Sequence, residues 1–194
     1  GCPYHCDFCS RPVSGSDFRK RAPSDILSEI GGIFALGYDY LWFADDAFTY
    51  DTQLVVDVSN GIRSLGTNIR WDCLSRTDRI DADLVKTMRL SGLERVYLGM
   101  ESGSDETLHL MKKGVRVADS ENAMALFSQH GVKVGGFFMI GYPGETPESI
   151  WSTLELSARE ELDYVSYTVP YPLPGSPLYD RLKAYVDPSA EWSH

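Results

Sequence analysis

Three of the four cysteines of this 194-residue chain fall within its first nine residues, in the run Cys2-Pro-Tyr-His-Cys6-Asp-Phe-Cys9. The spacing CxxxCxxC puts three soft thiolates on one short loop, a donor set that suits zinc or an iron–sulfur cluster. Three thiols cannot close into disulfides without leaving one over, and a chain of this length does not depend on such staples. A structural zinc takes four ligands and an ordinary cluster takes four cysteines. Here only three are local, so the fourth would be His5, Cys73 or a remote group. The alternative is a cluster with one iron left open for an exogenous ligand, and by analogy with catalytic zinc an open position marks chemistry rather than scaffolding. Two rival readings stand beside it: a zinc-stabilised structural or interaction module with Cys73 as its fourth thiolate, and an electron-transfer iron–sulfur protein without substrate chemistry.

The remaining chemistry-bearing residues are ordered by the elements that carry them. Apolar periodicity predicts strands over 40–44, 69–74, 95–100, 134–140 and 164–169. Between them it predicts helices over 23–37, 54–65, from Asp81 to a stop at Gly92, from Ser104 or Asp105, over 120–130 and over 147–161. That alternation is the pattern of parallel βα units, whose two main architectures are a doubly wound sheet and a barrel. No G-x-G-x-x-G and no P-loop follows a strand, so the nucleotide-binding versions lose support. Each predicted strand is followed by an unusual polar or Gly/Pro cluster. These are Asp45-Asp46, Arg76, Glu101-Ser102, Gly141-Tyr-Pro-Gly-Glu145 and Pro170-Tyr-Pro172. Ligands of parallel α/β folds bind at that C-terminal strand edge, so five clusters in register point to one site.

The cysteine loop, Gly1-Cys-Pro-Tyr-His-Cys-Asp-Phe-Cys9, resembles that of the radical S-adenosylmethionine (radical SAM) enzymes, which carry CxxxCxxC with an aromatic before the last cysteine. Three further segments resemble later motifs of the family, in order. They are Phe43-Ala-Asp-Asp-Ala-Phe48, Gly99-Met-Glu-Ser-Gly-Ser104 and Gly136-Phe-Phe-Met-Ile-Gly-Tyr-Pro-Gly-Glu-Thr146. The resemblance spans nearly the whole chain and is strongest to the branch with cobalamin-binding or methylthiotransferase-type relatives.

It implies an α/β fold, an open, partial TIM-like (β/α)6 barrel of parallel strands. The cluster loop of that fold follows its first strand, so that strand is expected upstream of this chain, which then reads as a fragment. One radical SAM core domain is expected over 1–194, with a cluster-binding loop over 1–22, βα units over 23–180 and a C-terminal extension over 181–194. By the same resemblance Cys2, Cys6 and Cys9 hold a 4Fe–4S cluster, and the amine and carboxylate of S-adenosylmethionine chelate the fourth iron. Reductive cleavage of the sulfonium then gives a 5′-deoxyadenosyl radical for substrate hydrogen abstraction, methylation or methylthiolation. The cofactor carries the hard chemistry and the protein orients it.

The cofactor-binding residues implied are Phe8, Asp45, Asp46, Arg76, Glu101, Ser102, Met139 and Ile140. Asp45 and Asp46 suit the amine or simply cap the next helix; Arg76 grips the carboxylate or pairs with Asp78. Glu101 accepts from ribose hydroxyls, while Ser102 either joins it or caps a helix. Phe8, Met139 and Ile140 cover the cluster or adenine, or belong to the core. Cobalamin held by a domain outside this chain is admitted as a further cofactor. The expected partners are a substrate the residues do not name and an external electron donor of flavodoxin or ferredoxin type.

Composition bounds the rest. With 43% apolar and 24% charged residues the chain is that of a globular domain. Its 28 acidic against 18 basic residues, a net charge of −10, argue against gripping nucleic acid through phosphate neutralisation. No apolar run approaches the roughly 18 residues of a membrane span. A soluble, cytoplasmic domain is expected. Lys112, Lys113 and Arg116 read as a solvated patch, and the four histidines form no constellation.

Overall fold

The computed structural model describes residues 2–9 and 17–185. Gly1 and residues 10–16, within the expected cluster loop, and residues 186–194, within the expected extension, lie outside the described residues. Five strands form one sheet: β1 (Tyr40–Phe43), β2 (Arg70–Ser75), β3 (Leu93–Glu101), β4 (Lys133–Met139) and β5 (Tyr164–Thr168). Every neighbouring pair is parallel and the order follows the chain, β1-β2-β3-β4-β5. A doubly wound sheet would reverse its strand order at a switch point. None occurs here, so the sheet is that of an open barrel with β1 and β5 at its edges. The described residues also form seven α-helices, α1 (Pro23–Ala35), α2 (Thr52–Ser64), α3 (Ala82–Leu90), α4 (Asp105–Leu110), α5 (Val117–Gln129), α6 (Pro147–Ser157) and α7 (Pro177–Leu182), and short 3-10 turns at Phe48–Tyr50 and Lys183–Tyr185.

Strand side chains alternate between two faces. Trp71 and Cys73 of β2, Val96, Leu98 and Met100 of β3, and Val134 and Phe138 of β4 are buried in one core with Val55 and Ile62 of α2, Val85 and Met88 of α3, and Met124 and Phe127 of α5. Each such side chain contributes on the order of 1.5–3 kcal/mol by leaving water. The other face is concave and partly polar. The Tyr40 hydroxyl donates to Asp72 Oδ1 at 2.6 Å, Arg95 reaches Asp72 Oδ2 at 3.7 Å, and the Arg95 guanidinium lies 4.9 Å from the Tyr164 ring centroid. This floor ties β1, β2, β3 and β5 together at the N-terminal side of the sheet. Above it the Tyr97 and Phe137 rings stack at 5.6 Å.

The helix starts lie at the opposite, C-terminal edge, and side chains hold them there. Asp51 Oδ1 accepts from Leu54 N at 3.0 Å, Asp81 Oδ1 from Leu84 N at 2.8 Å and the Thr146 hydroxyl from Ser149 N at 3.2 Å. Such caps satisfy N–H groups that have no partner within the helix. The helix expected over 147–161 ends instead at Ser157. The Ser157 hydroxyl donates back to the Leu154 carbonyl, and the chain turns with Leu162 N bonding Arg159 O at 3.1 Å. Leu162 thus reaches the core from a turn.

Candidate active site

The cysteine loop crosses the C-terminal edge of the sheet with all three thiols half-buried and free. Each spacer between cysteines carries its own attachment. In the first, the Tyr4 hydroxyl donates to Asp78 Oδ2 at 2.8 Å, and the Tyr4 ring lies against the Arg76 guanidinium, 3.7 Å from its centroid. In the second, Asp7 is 2% exposed; its carboxylate accepts from the Tyr142 hydroxyl at 2.6 Å and pairs with Arg181 at 3.0 Å. The Asp7 backbone is bound on both sides, N–H to the Met111 carbonyl at 2.8 Å and carbonyl to Leu178 N–H at 2.9 Å. Burial and the Asp7 carboxylate together push the Tyr142 hydroxyl well above its ordinary pKa. Phe8 packs with Met111, Met139, Tyr142 and Leu178 in a second apolar cluster beneath the loop.

Among the described residues no three His, Cys, Asp or Glu side chains converge as donors for one ion. Zinc draws its four ligands onto a single point, whereas an iron–sulfur cluster binds each thiolate at a different iron. Three thiolates on one loop fit a cluster with one iron left open, which needs no fourth protein ligand. The fourth thiol cannot complete a zinc site: Cys73 is fully buried on the helix-facing side of β2, where desolvation first, then Asp72 and Asp45, push its thiol up. It is a core residue.

Arg76, only 5% exposed, follows β2 and meets the loop from below. Its Nε donates to Asp78 Oδ1 at 2.8 Å, Nη2 to the Lys113 carbonyl at 2.6 Å and Nη1 to Cys6 Sγ at 3.8 Å. All three nitrogens are thus engaged, and of the two expected partners, carboxylate ligand or Asp78, it has taken Asp78 within the protein. Lys113 corrects the expectation of a solvated patch. It is 6% exposed, and its Nζ reaches Glu101 Oε1 at 2.7 Å and lies 5.9 Å from the Phe8 ring centroid. Lys112 and Arg116 are exposed as expected. Burial pushes the Cys6 thiol up, and the charges of Lys113 and Arg76 act against it.

Glu101 closes β3 with a positive φ of 65°, where the β3–β4 register slips between Gly99 and Glu101. Ser102 N bonds Met100 O at 2.8 Å across it, a γ-turn of the rare, strained kind. Non-glycine residues reach this region at a cost of about 1–2 kcal/mol, and the turn folds the carboxylate back over Gly99 toward Lys113. A Cβ on Gly99 would lie 2.9 Å from Glu101 Oε1 and 3.0 Å from Lys113 Nζ. Ser102 itself points away: fully buried, its hydroxyl meets Thr153 Oγ1 at 3.0 Å and accepts from Ser104 N at 3.2 Å.

Asp45 and Asp46 are exposed just past β1, and the next helix is capped by Asp51 instead. Desolvation, reinforced by Asp46, raises the Asp45 carboxyl above the usual aspartate range. Asp45 also lines a cavity of about 420 Å³ between β1, α1 and α2. Met139 is buried beside Phe8, and half-buried Ile140 bonds Thr168 O through its N–H. The Gly141–Glu145 turn is closed by Glu145 Oε2, which accepts from Gly141 N and Tyr142 N at 2.7 and 2.8 Å.

Cys6, Phe8, Arg76 and Glu101 are therefore joined through Lys113, Met139 borders them, and Ser102 supports the turn from the helix side. Tyr4 and Asp7 were not singled out by sequence reasoning, which took Asp78 as a partner of Arg76, Lys113 as solvated and Tyr142 as one member of the Gly141–Glu145 cluster. The one local signal was the position of Tyr4 and Asp7 inside the cysteine spacers, where polar groups must either solvate or dock.

The comparisons with known proteins agree with this geometry. The model of the Radical SAM superfamily matches residues 1–157. An uncharacterized methyltransferase, PH0819 of Pyrococcus horikoshii, is 30% identical over 182 residues, which cover 93% of this chain and 40% of that protein. A putative methylthiotransferase, MJ0865 of Methanocaldococcus jannaschii, is 29% identical, with 93% and 42% covered. The chain thus spans well under half the length of these curated relatives. Its fold matches the radical S-adenosylmethionine methyltransferase TsrM of Kitasatospora setae, solved with cobalamin and a [4Fe-4S] cluster bound. The TM-score is 0.87 at 19% identity, over 95% of this chain and 35% of that one. With four of its five strand-end clusters and its cysteine loop inside the matched residues, the chain belongs to the radical SAM superfamily.

Proposed function

We propose that Cys2, Cys6 and Cys9 ligate a 4Fe–4S cluster, and that S-adenosylmethionine occupies the edge between this loop and Glu101. The observation that carries the reading is the docking of both cysteine spacers onto the C-terminal strand edge, which among the described residues leaves three half-buried thiols in no disulfide, with Arg76 donating to that of Cys6. When bound, the cluster and S-adenosylmethionine supply reductive cleavage of the sulfonium. The protein's own residues hold and shield. Glu101, fixed by Lys113, accepts from the ribose hydroxyls; Asp45 and Asp46 receive the amine; Phe8, Met139 and Ile140 form the apolar flank for adenine; Ser102 keeps the Glu101 turn in place through Thr153.

The whole protein is proposed to transfer a methyl or methylthio group, as the names of both curated relatives indicate for those proteins. Cobalamin, bound in the TsrM structure, would here be held by residues outside this chain. Radical SAM enzymes need a reductant; a flavodoxin- or ferredoxin-type donor fits, as does a cytoplasmic setting that keeps thiols reduced. No helix among the described residues is long and apolar enough to cross a membrane.

Anaerobic reconstitution tests the reading. It should give about four irons and four sulfides per chain. Loading should be lost in Cys2→Ala, Cys6→Ala and Cys9→Ala but kept in Cys73→Ala. Stoichiometric zinc without iron, or loss of loading with Cys73 alone, overturns it.

A further inference from the structure

We infer that Arg76 sets the reduction potential of the cluster through its contact with the Cys6 sulfur, an inference that rests on Cys6 being a ligand. Arg76 is held for this role from every side. Its face is covered by the Tyr4 ring at 3.7 Å, Nε is fixed by Asp78 at 2.8 Å, Nη2 by the Lys113 carbonyl at 2.6 Å, and Nη1 is left to point at Cys6 Sγ at 3.8 Å. With its side chain 6% exposed, the guanidinium keeps a fixed orientation rather than sampling solvent. Arginine stays charged at any accessible pH, so the contact brings a permanent cation to the sulfur.

Two ion pairs, Arg76–Asp78 and Lys113–Glu101, border the loop, and the first presents its cation to Cys6 through Nη1. Asp78 is held by Nε, so its carboxylate sits away from the Nη1 contact with the sulfur. Reduction adds one negative charge to a cluster, and cationic hydrogen-bond donors at its sulfurs stabilise that extra charge. Arg76 therefore makes the cluster easier to reduce. An external donor then meets a cluster whose potential this chain has raised before any ligand binds.

The test is an anaerobic potentiometric titration, followed by electron paramagnetic resonance, of the reconstituted protein without S-adenosylmethionine. Arg76→Gln should load iron like the unmodified chain and show a lower midpoint potential. Asp78→Asn keeps an acceptor for Arg76 Nε and turns the Tyr4 hydroxyl into an acceptor for the new amide N–H, but it leaves the guanidinium uncompensated, so its midpoint should rise. A purely structural role would loosen the loop in both variants and move both potentials the same way. Equal potentials in all three proteins, or shifts of one sign, overturn the inference. Should Arg76→Gln fail to load, Asp78→Asn decides alone: a rise supports the role and no rise refutes it. Full iron loading in Cys6→Ala would instead remove the ligand assignment on which the inference stands.

Discussion

Glu101 concentrates the cost and the use of this site in one residue. Its left-handed backbone, the slip in the β3–β4 ladder and the missing side chain at Gly99 all serve to place one carboxylate against Lys113. A backbone strained at a site is retained only where the surroundings over-determine it. Here Ser102, locked to Thr153, and Lys113, locked by its carbonyl to Arg76, provide that support. Glu101→Ala should weaken S-adenosylmethionine binding to the cluster-loaded protein by about 10–150-fold, the loss of a hydrogen bond to a charged group. Unchanged affinity by calorimetry would remove Glu101 from the cofactor site. Gly99→Ala tests the same placement without touching the carboxylate. Its Cβ would displace both partners of the pair, so affinity should fall while the melting temperature changes little.

At the scale of elements, residues 2–9 of the cysteine loop form no helix or strand and borrow their shape from four other segments. Tyr4 docks on the loop after β2, and Asp7 docks on the end of α4, the β4–α6 turn and the start of α7. Asp7 matters most because it is buried and charged, and because it joins residues 135 positions apart in sequence. Truncating it to Ala leaves the buried Tyr142 hydroxyl without its acceptor and Arg181 with that hydroxyl, at 3.3 Å, still to donate to. Since the Arg181 side chain is 44% exposed, solvent replaces part of the loss. A cost of roughly 2 kcal/mol remains, or about 4–8 °C in melting temperature for a domain of this size. Differential scanning calorimetry of Asp7→Ala measures it, and cluster release by a chelator should be faster in the same variant. A melting temperature equal to that of the parent chain would show that Leu178 and Met111 hold the loop by backbone bonds alone.

Over the whole molecule, the open sheet divides its labour by depth. The convex face supplies the packed core, the C-terminal rim carries the cysteine loop and helix starts, and the concave floor is stapled by Tyr40, Asp72 and Arg95. Asp72 is 4% exposed and is the shared acceptor of that floor. Asp72→Ala should destabilise the chain by roughly 2–4 kcal/mol in urea unfolding, because it strands a partly buried guanidinium between strands. Leaving the rim untouched, it should not alter iron loading at temperatures where the chain is folded. A variant as stable as the parent would show that aromatic stacking, not the polar floor, holds β1 to β3.

Much of this was written locally in the chain. Strand and helix periods, the caps at Asp81 and Ser104, and the stops at Gly92 and Gly131 depend on residues within a turn or two of one another, and they place the βα units close to where the structure has them. The cysteine spacing narrowed the chemistry to zinc or an iron–sulfur cluster, because donor type and separation are properties of nine consecutive residues, and the motif resemblance then pointed to the family. Parallel pairing also followed, since helices must intervene between parallel strands. The choice of an open barrel over a doubly wound sheet did not follow from periodicity, which carries no strand order; only the motif resemblance pointed there. What only the tertiary structure decided are the contacts between distant segments. Lys113 read as solvated because its neighbours in sequence are solvated, yet its side chain turns inward to a carboxylate presented by another element. Arg76 read as a carboxylate clamp or a surface partner of Asp78; the Asp78 pair forms, but with the arginine buried, and Tyr4 and Cys6, about seventy residues away, meet it face and edge. A charged side chain is buried only where its partners arrive from elsewhere in the fold, and such partners leave no trace in the local pattern.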